Sequence, residues 1–403
     1  MKSKLLAPVS EWSMLVAAIE AKADAVYFGV KQLNMRITAK NFELTELKKI
    51  TDYCHKYKVK AYLTLNTIIY DDEISILKKT LSAAKKAKID GVICWDWSVI
   101  RECEKLNLPI HLSTQASISN FESLSYLKNK IKNLENVVLA RELSLDQIKD
   151  IIKQIKKHKL KIGIETFIHG AMCVSVSGRC FMSQSIFNKS ANRGDCIQPC
   201  RRSYIIKDPE EGHEFKLEDN YVMSPKDLCT IEIIDELIDA GISTFKIEGR
   251  NRSPEYVKVV VECYRAAVDA HSKGKLDKKF KDKLVKKLKT VYNRGFSTGF
   301  YMGKPIDQWT DDYGSKATKK KTYVGYIKNF YKKVKAAEIK LEANNIKIND
   351  NILIIGPTTG VIEFKIKSME INNKPTKQGK KGQSVAIKLN QLARENDKVF
   401  LFE

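Results

Sequence analysis

The sequence predicts an α/β protein: a (β/α)8 TIM-like barrel with a cysteine-rich insertion after its seventh strand, followed by a small C-terminal β-barrel. Three observations carry this expectation. Short β-branched and aromatic runs alternate with longer stretches of helical period as far as residue 272. Beyond residue 321 the period changes to two, and five of the nine cysteines fall between residues 173 and 229.

Eight runs read as barrel strands, at 4–9, 25–30, 60–66, 91–95, 110–116, 136–141, 161–167 and 243–248. Helical periodicity covers 10–21, 44–57, 75–88, 98–106, 120–132 and 144–158, each opening near a capping residue or an acidic first turn. Crossovers of helix length between successive strands favour a closed parallel barrel over an open doubly wound sheet. The connection after the seventh strand is anomalous, about 75 residues at 168–242. Loops on that side of a barrel build active sites, so function is expected there. Residues 253–272 read as the last barrel helix and close the first domain at 1–274. Residues 275–321 hold a very basic helix, 276–292, and a linker broken by Gly295, Gly299, Gly303 and Pro305 and ended by Lys319-Lys320-Lys321. In 322–403 strands are expected at 324–327, 336–341, 351–355, 360–369, 384–388 and 398–402, which suit a small all-β barrel.

Hydrophobic residues make up 43% and charged ones 30%, which excludes the composition of a disordered chain. No run approaches the roughly 20 apolar residues that span a bilayer. Met1-Lys2-Ser3-Lys4 leads into strand-like residues without a signal-peptide core, so a cytoplasmic protein with no membrane partner is expected. The 71 Lys and Arg against 48 Asp and Glu give a net charge of +23, a field that favours polyanions, nucleic acid first. Solvated lysine-rich helix faces would give the same composition.

The chemistry lies in the cysteines. Six residues separate Cys173 from Cys180, fifteen separate Cys180 from Cys196, three separate Cys196 from Cys200, and 28 separate Cys200 from Cys229. In a reducing compartment such a group reads as metal ligation before disulfide bonding. Zinc sites use paired short spacings, and only one short pair exists here, whereas an iron-sulfur cubane accepts uneven gaps. Cys54, Cys94, Cys103 and Cys263 fall in helical or apolar strand patterns and read as small core residues.

Glu165, at the end of the seventh strand, could transfer protons, as could His169; the alternatives are an ion pair and a loop hydrogen bond. Arg141, Arg193 and Arg250 could hold a small dicarboxylate through their forked guanidinium groups, or make structural ion pairs. A polar cavity is expected at the C-terminal mouth, lined by Asn66, Gln115, Arg141, Glu165, Lys246 and Glu248. No His-Glu-x-x-His zinc helix and no Gly-x-Ser-x-Gly elbow occurs. A Cys173–His169 nucleophile is the one peptidase arrangement the sequence offers, and a noncatalytic RNA-binding factor is a third reading.

Several pieces carry a family resemblance. Glu165-Thr166-Phe167-Ile168-His169-Gly170-Ala171-Met172-Cys173 is followed by Gly178-Arg179-Cys180-Phe181-Met182-Ser183. Further pieces are His111-Leu112-Ser113-Thr114-Gln115-Ala116, Asn192-Arg193-Gly194-Asp195-Cys196, Gln198-Pro199-Cys200-Arg201, Ser224-Pro225-Lys226-Asp227-Leu228-Cys229 and Lys246-Ile247-Glu248-Gly249-Arg250. Over about 300 residues the chain resembles the collagenase-like peptidase family U32. Its length, these runs and the appended β-barrel are most similar to the tRNA hydroxylation branch. That resemblance implies an oxygen-independent hydroxylase that makes 5-hydroxyuridine at the tRNA wobble position. It also implies a cysteine-bound [4Fe-4S] cluster and prephenate as oxygen donor. The implied ligands are Cys173, Cys180, Cys196 and Cys229, with Cys200 as the alternative fourth. Residues such as Gly356-Pro357-Thr358-Thr359-Gly360 make the last 80 or so resemble the second domain of translation elongation factors, a module that often meets RNA. The chain has no phosphate-binding Gly-rich Lys-Ser/Thr loop, so no GTPase is implied.

Overall fold

Runs that are apolar throughout, such as 5–8 and 25–28, need cover on both faces, which a parallel barrel inside a ring of helices supplies. The structure, a computed structural model, describes residues 3–176, 178–202, 204–216, 223–303, 308–310 and 314–403. Its barrel strands are β1 Lys4–Pro8, β2 Ala25–Phe28, β3 Lys60–Leu65, β4 Gly91–Cys94, β5 Ile110–Leu112, β6 Leu134–Val138, β7 Gly163–Gly170 and β8 Thr244–Ile247. Each pairs in parallel with the next, and β8 pairs with both β7 and β1, so the ring closes without an edge.

The barrel helices are α1 Trp12–Glu20, α2 Leu47–Lys56, α3 Ile74–Lys86, α4 Trp97–Lys105, α5 Phe121–Lys130, α6 Leu145–Lys157, α7 Ile234–Asp239 and α8 Pro254–His271. In α6 the buried Leu145, Ile148, Ile151, Ile152 and Ile155 form one apolar stripe, and Ser144 with Gln147 makes a capping box at its start.

Three differences from the sequence expectation position the site. The fifth strand stops at Leu112, and a 3-10 turn, Thr114–Ala116, turns Gln115 into the mouth, where it is 5% exposed. Inside 168–242 a strand, Asp227–Cys229, runs antiparallel to the end of β7 with Cys229 opposite His169, and α7 supplies the seventh barrel helix. The three-residue strand is too short to show alternation in a sequence. The basic helix, Lys278–Leu288, packs on α8 through buried Leu284 and Leu288. Lys281 pairs with Asp235 and Lys287 with Glu262, each at 2.7 Å, so this helix belongs to the barrel rather than to a spacer.

Apart from a separate pair, Ile346–Lys347 with Gln378–Gly379, the C-terminal strands form one antiparallel sheet around Val324, Ile339, Ile352, Ile354, Ile387 and Val399. Its outer strands, Gly360–Lys365 and Lys374–Pro375, do not pair with each other among the described residues; the sheet wraps its core without a closing ladder. It docks on the barrel side of the molecule through Leu353, Val361 and Phe402, which join the barrel core. Lys258 Nζ donates to Val361 O at 2.6 Å and Lys321 pairs with Glu255 at 2.7 Å. Among the described residues no helix is long and apolar enough to cross a membrane.

Candidate functional site

Residues that follow the strand ends surround a cavity of about 160 Å³ at the C-terminal mouth. Asn66 comes from the end of β3, Gln115 from β5, Arg141 from β6, and Glu248 and Arg250 from β8. The cysteine loop roofs it with Cys173, Cys180, Cys196 and Cys200. A cavity of this volume accepts a single six-membered ring.

Arginines fasten the roof to the barrel. Arg201 donates to Pro225 O at 2.9 Å, to Ser224 Oγ at 3.0 Å and to Met172 O, tying the two ends of the loop together. Arg179 donates to Gln115 O at 2.6 Å, and Arg193 pairs with Glu73 at 3.0 Å. Two glycines permit the close seat. A Cβ on Gly178, whose φ is +79°, would stand 2.4 Å from Gln115 Nε2, and one on Gly194, φ +84°, would stand 2.3 Å from Asn34 O. A side chain on Gly194 would meet backbone and push the roof off the mouth, and at Gly178 the positive φ itself disfavours one.

The thiols divide into two groups. Cys173, Cys180, Cys196 and Cys200 all line the cavity, and none is in a disulfide. Burial pushes the Cys200 thiol up against the pull of Arg201, and the facing Cys173, Cys196 and Cys180 push it further. The backbone N–H of Gln198 donates to Cys196 Sγ at 3.4 Å, the kind of contact that tunes cluster sulfurs. Cys229 lies elsewhere. It is 5% exposed, its Sγ is 3.9 Å from Tyr264 Oη, and burial raises its thiol to about 11. The structure therefore does not gather the set Cys173, Cys180, Cys196 and Cys229 around the cavity, because the short strand that carries Cys229 pairs beside the end of β7 and buries its thiol away from the wall; Cys200 stands at the mouth instead. Among the described residues no three His, Cys, Asp or Glu side chains converge on a single-ion site. One zinc ion, with Zn–S near 2.3 Å, would need sulfurs within about 4 Å of each other, whereas a cubane spreads its thiolates over separate irons. The four mouth thiols, free and facing one cavity, match in number the four thiolates a cubane needs.

His169 and Glu165 do not line the cavity. His169 is a buried residue of β7, 1% exposed, its Nδ1 3.3 Å from Tyr264 Oη, and burial with Arg252 nearby lowers its pKa to about 3. Glu165 is fully buried beneath Lys246, which donates to its Oε1 at 2.7 Å, while Asn136 donates to its Oε2 at 3.0 Å. Lys246 is the member of that pair on the cavity wall, and burial lowers its pKa against the pull of Glu165. Arg193 faces Glu73 and Tyr70 outside the cavity.

The cavity wall is cationic. Arg36, Arg141, Arg201, Lys246 and Arg250 outnumber the Glu248 carboxylate on the wall. Burial would raise Glu248, but Arg36, Arg252, Arg141 and Arg250 hold it below the ordinary carboxylate range. Arg36 makes two hydrogen bonds to Glu248 Oε1, at 3.2 and 3.1 Å. Arg250 donates to Asn34 Oδ1 at 3.1 Å and Thr64 Oγ1 at 2.8 Å, and burial brings it down to about 10. Among the described residues of the wall, two buried polar atoms lack a protein partner, Gln115 Oε1 and Arg141 Nε, and a ligand in the cavity would satisfy such groups. Arg36, Thr64 and Arg201 are among the wall residues that sequence reasoning missed. Arg36 follows the end of β2, and its position beyond a strand end was the available signal.

A barrel with a cysteine roof over a strand-end cavity is a specific combination, and the model of peptidase family U32 matches residues 10–311, three quarters of the chain. The chain belongs to this family. A "Collagenase" of Porphyromonas gingivalis W83 is 41% identical over 407 residues, covering 99% of this chain and 98% of that one. "tRNA hydroxylation protein P1" of Bacillus subtilis is 34% identical over 88% of this chain and 84% of its own length. "23S rRNA 5-hydroxycytidine C2501 synthase" of Escherichia coli is 36% identical over 66% of this chain, a match that spans 39% of that protein. The U32 family thus spans proteins named for peptide cleavage and for RNA hydroxylation.

Proposed function

We propose that this U32 protein is an oxygen-independent RNA hydroxylase that converts uridine to 5-hydroxyuridine at the tRNA wobble position. The observation that carries this reading is the union of four free thiols and a cationic, ring-sized cavity at the barrel mouth. Cys173, Cys180, Cys196 and Cys200 would hold a [4Fe-4S] cluster, which supplies electron transfer when bound. The arginines suit an anionic oxygen donor such as the dicarboxylate prephenate, with Arg36, Arg141 and Arg250 as its anchors. Chemically, uridine C5–H and a hydroxylated donor would give C5–OH and the deoxygenated donor. Gln115 and Arg141 offer hydrogen bonds to a ring in the cavity, and Lys246 is the wall group able to exchange a proton there.

The collagenase relative favours a second reading, peptide hydrolysis. The thiols give it little support. Cys173 has Ser175 Oγ at 3.6 Å as its polar neighbour, and His169 is buried within β7 against Tyr264, so no Cys–His nucleophile is assembled among the described residues. Nucleoside mass spectrometry of tRNA from a deletion strain separates the two. The expected result is loss of 5-hydroxyuridine, restored by the wild-type gene and not by a Cys180→Ala copy; unchanged nucleosides together with gelatin cleavage by the purified protein would establish the peptidase.

A further inference from the structure

Large apolar side chains are left in water around the mouth of the cavity. Tyr70, beyond the end of β3, is 53% exposed; Trp97, the first residue of α4, is 61% exposed; Phe181, beside Cys180, is 72% exposed. They rise from three separate loops on one face of the barrel. Those loops are lashed together: Trp95 Nε1 donates to Asn66 O at 3.0 Å, Ile69 N donates to Asp96 Oδ2 at 3.2 Å, and Arg179 bridges to Gln115 O. The rim is thus a built surface, and scattered single exposed residues would not need such bracing.

Cations stand among these rings and their neighbours. The Arg193 guanidinium lies 4.5 Å from the Tyr70 ring centre, Arg179 lies 5.2 Å from Trp95, two residues before Trp97, and Arg202 lies 4.7 Å from Phe187, at the end of the short helix that follows Phe181. An apolar peptide groove would exclude these charges. Alternating aromatic faces and guanidinium planes instead match unpaired nucleotides, whose bases stack on rings while phosphates meet arginine. A paired duplex hides its base faces and would gain only the charge.

We infer that Tyr70, Trp97 and Phe181, with Arg179, Arg193 and Arg202, form a stacking platform for the unpaired nucleotides on either side of the base that enters the cavity. This rests on the RNA-hydroxylase reading. Because the rings are exposed, truncating Trp97 or Phe181 leaves the core intact, which circular dichroism and an unchanged melting temperature would verify.

The test uses the full-length, iron-loaded protein, an RNA stem-loop with a seven-nucleotide loop, and a fully paired duplex of equal length. Trp97→Ala and Phe181→Ala should each weaken stem-loop binding by about 5- to 150-fold while duplex binding stays the same, and Trp97→Phe should restore most of the loss. Equal stem-loop affinity in wild type and both alanine variants overturns the platform, as does equal weakening toward loop and duplex. A deletion strain carrying each variant keeps the two claims apart. If the wild-type gene restores 5-hydroxyuridine while the variants bind loops normally, only the platform falls. If wild type binds neither RNA and restores no modified nucleoside, the hydroxylase reading falls with it.

Discussion

Lys246 meets Glu165 at 2.7 Å with both side chains almost fully buried, and this pair decides what a substitution at Glu165 does. Removing one partner leaves a buried charge uncompensated, so Glu165→Gln is expected to cost about 3–5 kcal/mol in urea unfolding. Glu165→Leu with Lys246→Met should recover most of that loss, and a Glu165→Gln protein as stable as wild type would remove the pair from the fold's support. Two histidines add a pH dependence. His111, by burial and the nearby Lys246 charge, and His169, by burial and Arg252, are both lowered to about 3. Their folded pKa values lie below the ordinary value near 6.5, so their contribution is complete above about pH 6.5 and is lost as pH falls toward 3. Each should remove roughly 1.4 kcal/mol of stability per pH unit below that point. Urea midpoints at pH 6.5 and 5 measure this, and His111→Asn should reduce the slope. A flat profile in the wild type would mean the histidines are not held neutral.

At the scale of elements, the basic helix Lys278–Leu288 has two kinds of lysine. Lys281 and Lys287 are committed to Asp235 and Glu262, whereas Lys279, Lys283 and Lys286 are exposed. Reversing the exposed three to Glu should weaken tRNA binding and flatten its salt dependence, by about 0.7–0.9 in log–log slope for each phosphate no longer neutralised. Unchanged affinity across 50–200 mM salt would make the helix face a solvated surface only. The eight barrel strands and most helices were legible in the sequence because burial on both faces and a 3.6-residue period leave plain patterns, as in Leu145 to Ile155 of α6. Asp227–Cys229 was not legible. Its three residues carry no period, and spacing along a chain cannot say on which side of β7 a cysteine comes to rest. The mouth position of Cys200, and the burial of Cys229, His169 and Glu165, follow from that geometry alone. Arg36 escaped for a similar reason: a charged loop residue looks like any surface arginine until the strand end before it is placed.

Across the whole molecule, the barrel brings loops far apart in sequence to one face, and the cysteine loop closes over them through Arg179 and Arg193. The C-terminal sheet is fastened to α1 and α8, so it stands as a fixed second body beside the barrel and not as a tethered tail. Everything proposed for this chain turns on which thiols act together. The direct measurement is iron and sulfide content, with the visible absorption, of anaerobically prepared wild type, Cys200→Ala and Cys229→Ala. The account predicts about four irons and a brown protein for wild type and for Cys229→Ala, with loss of both signals in Cys200→Ala. Full iron in Cys200→Ala beside an iron-free Cys229→Ala would contradict it.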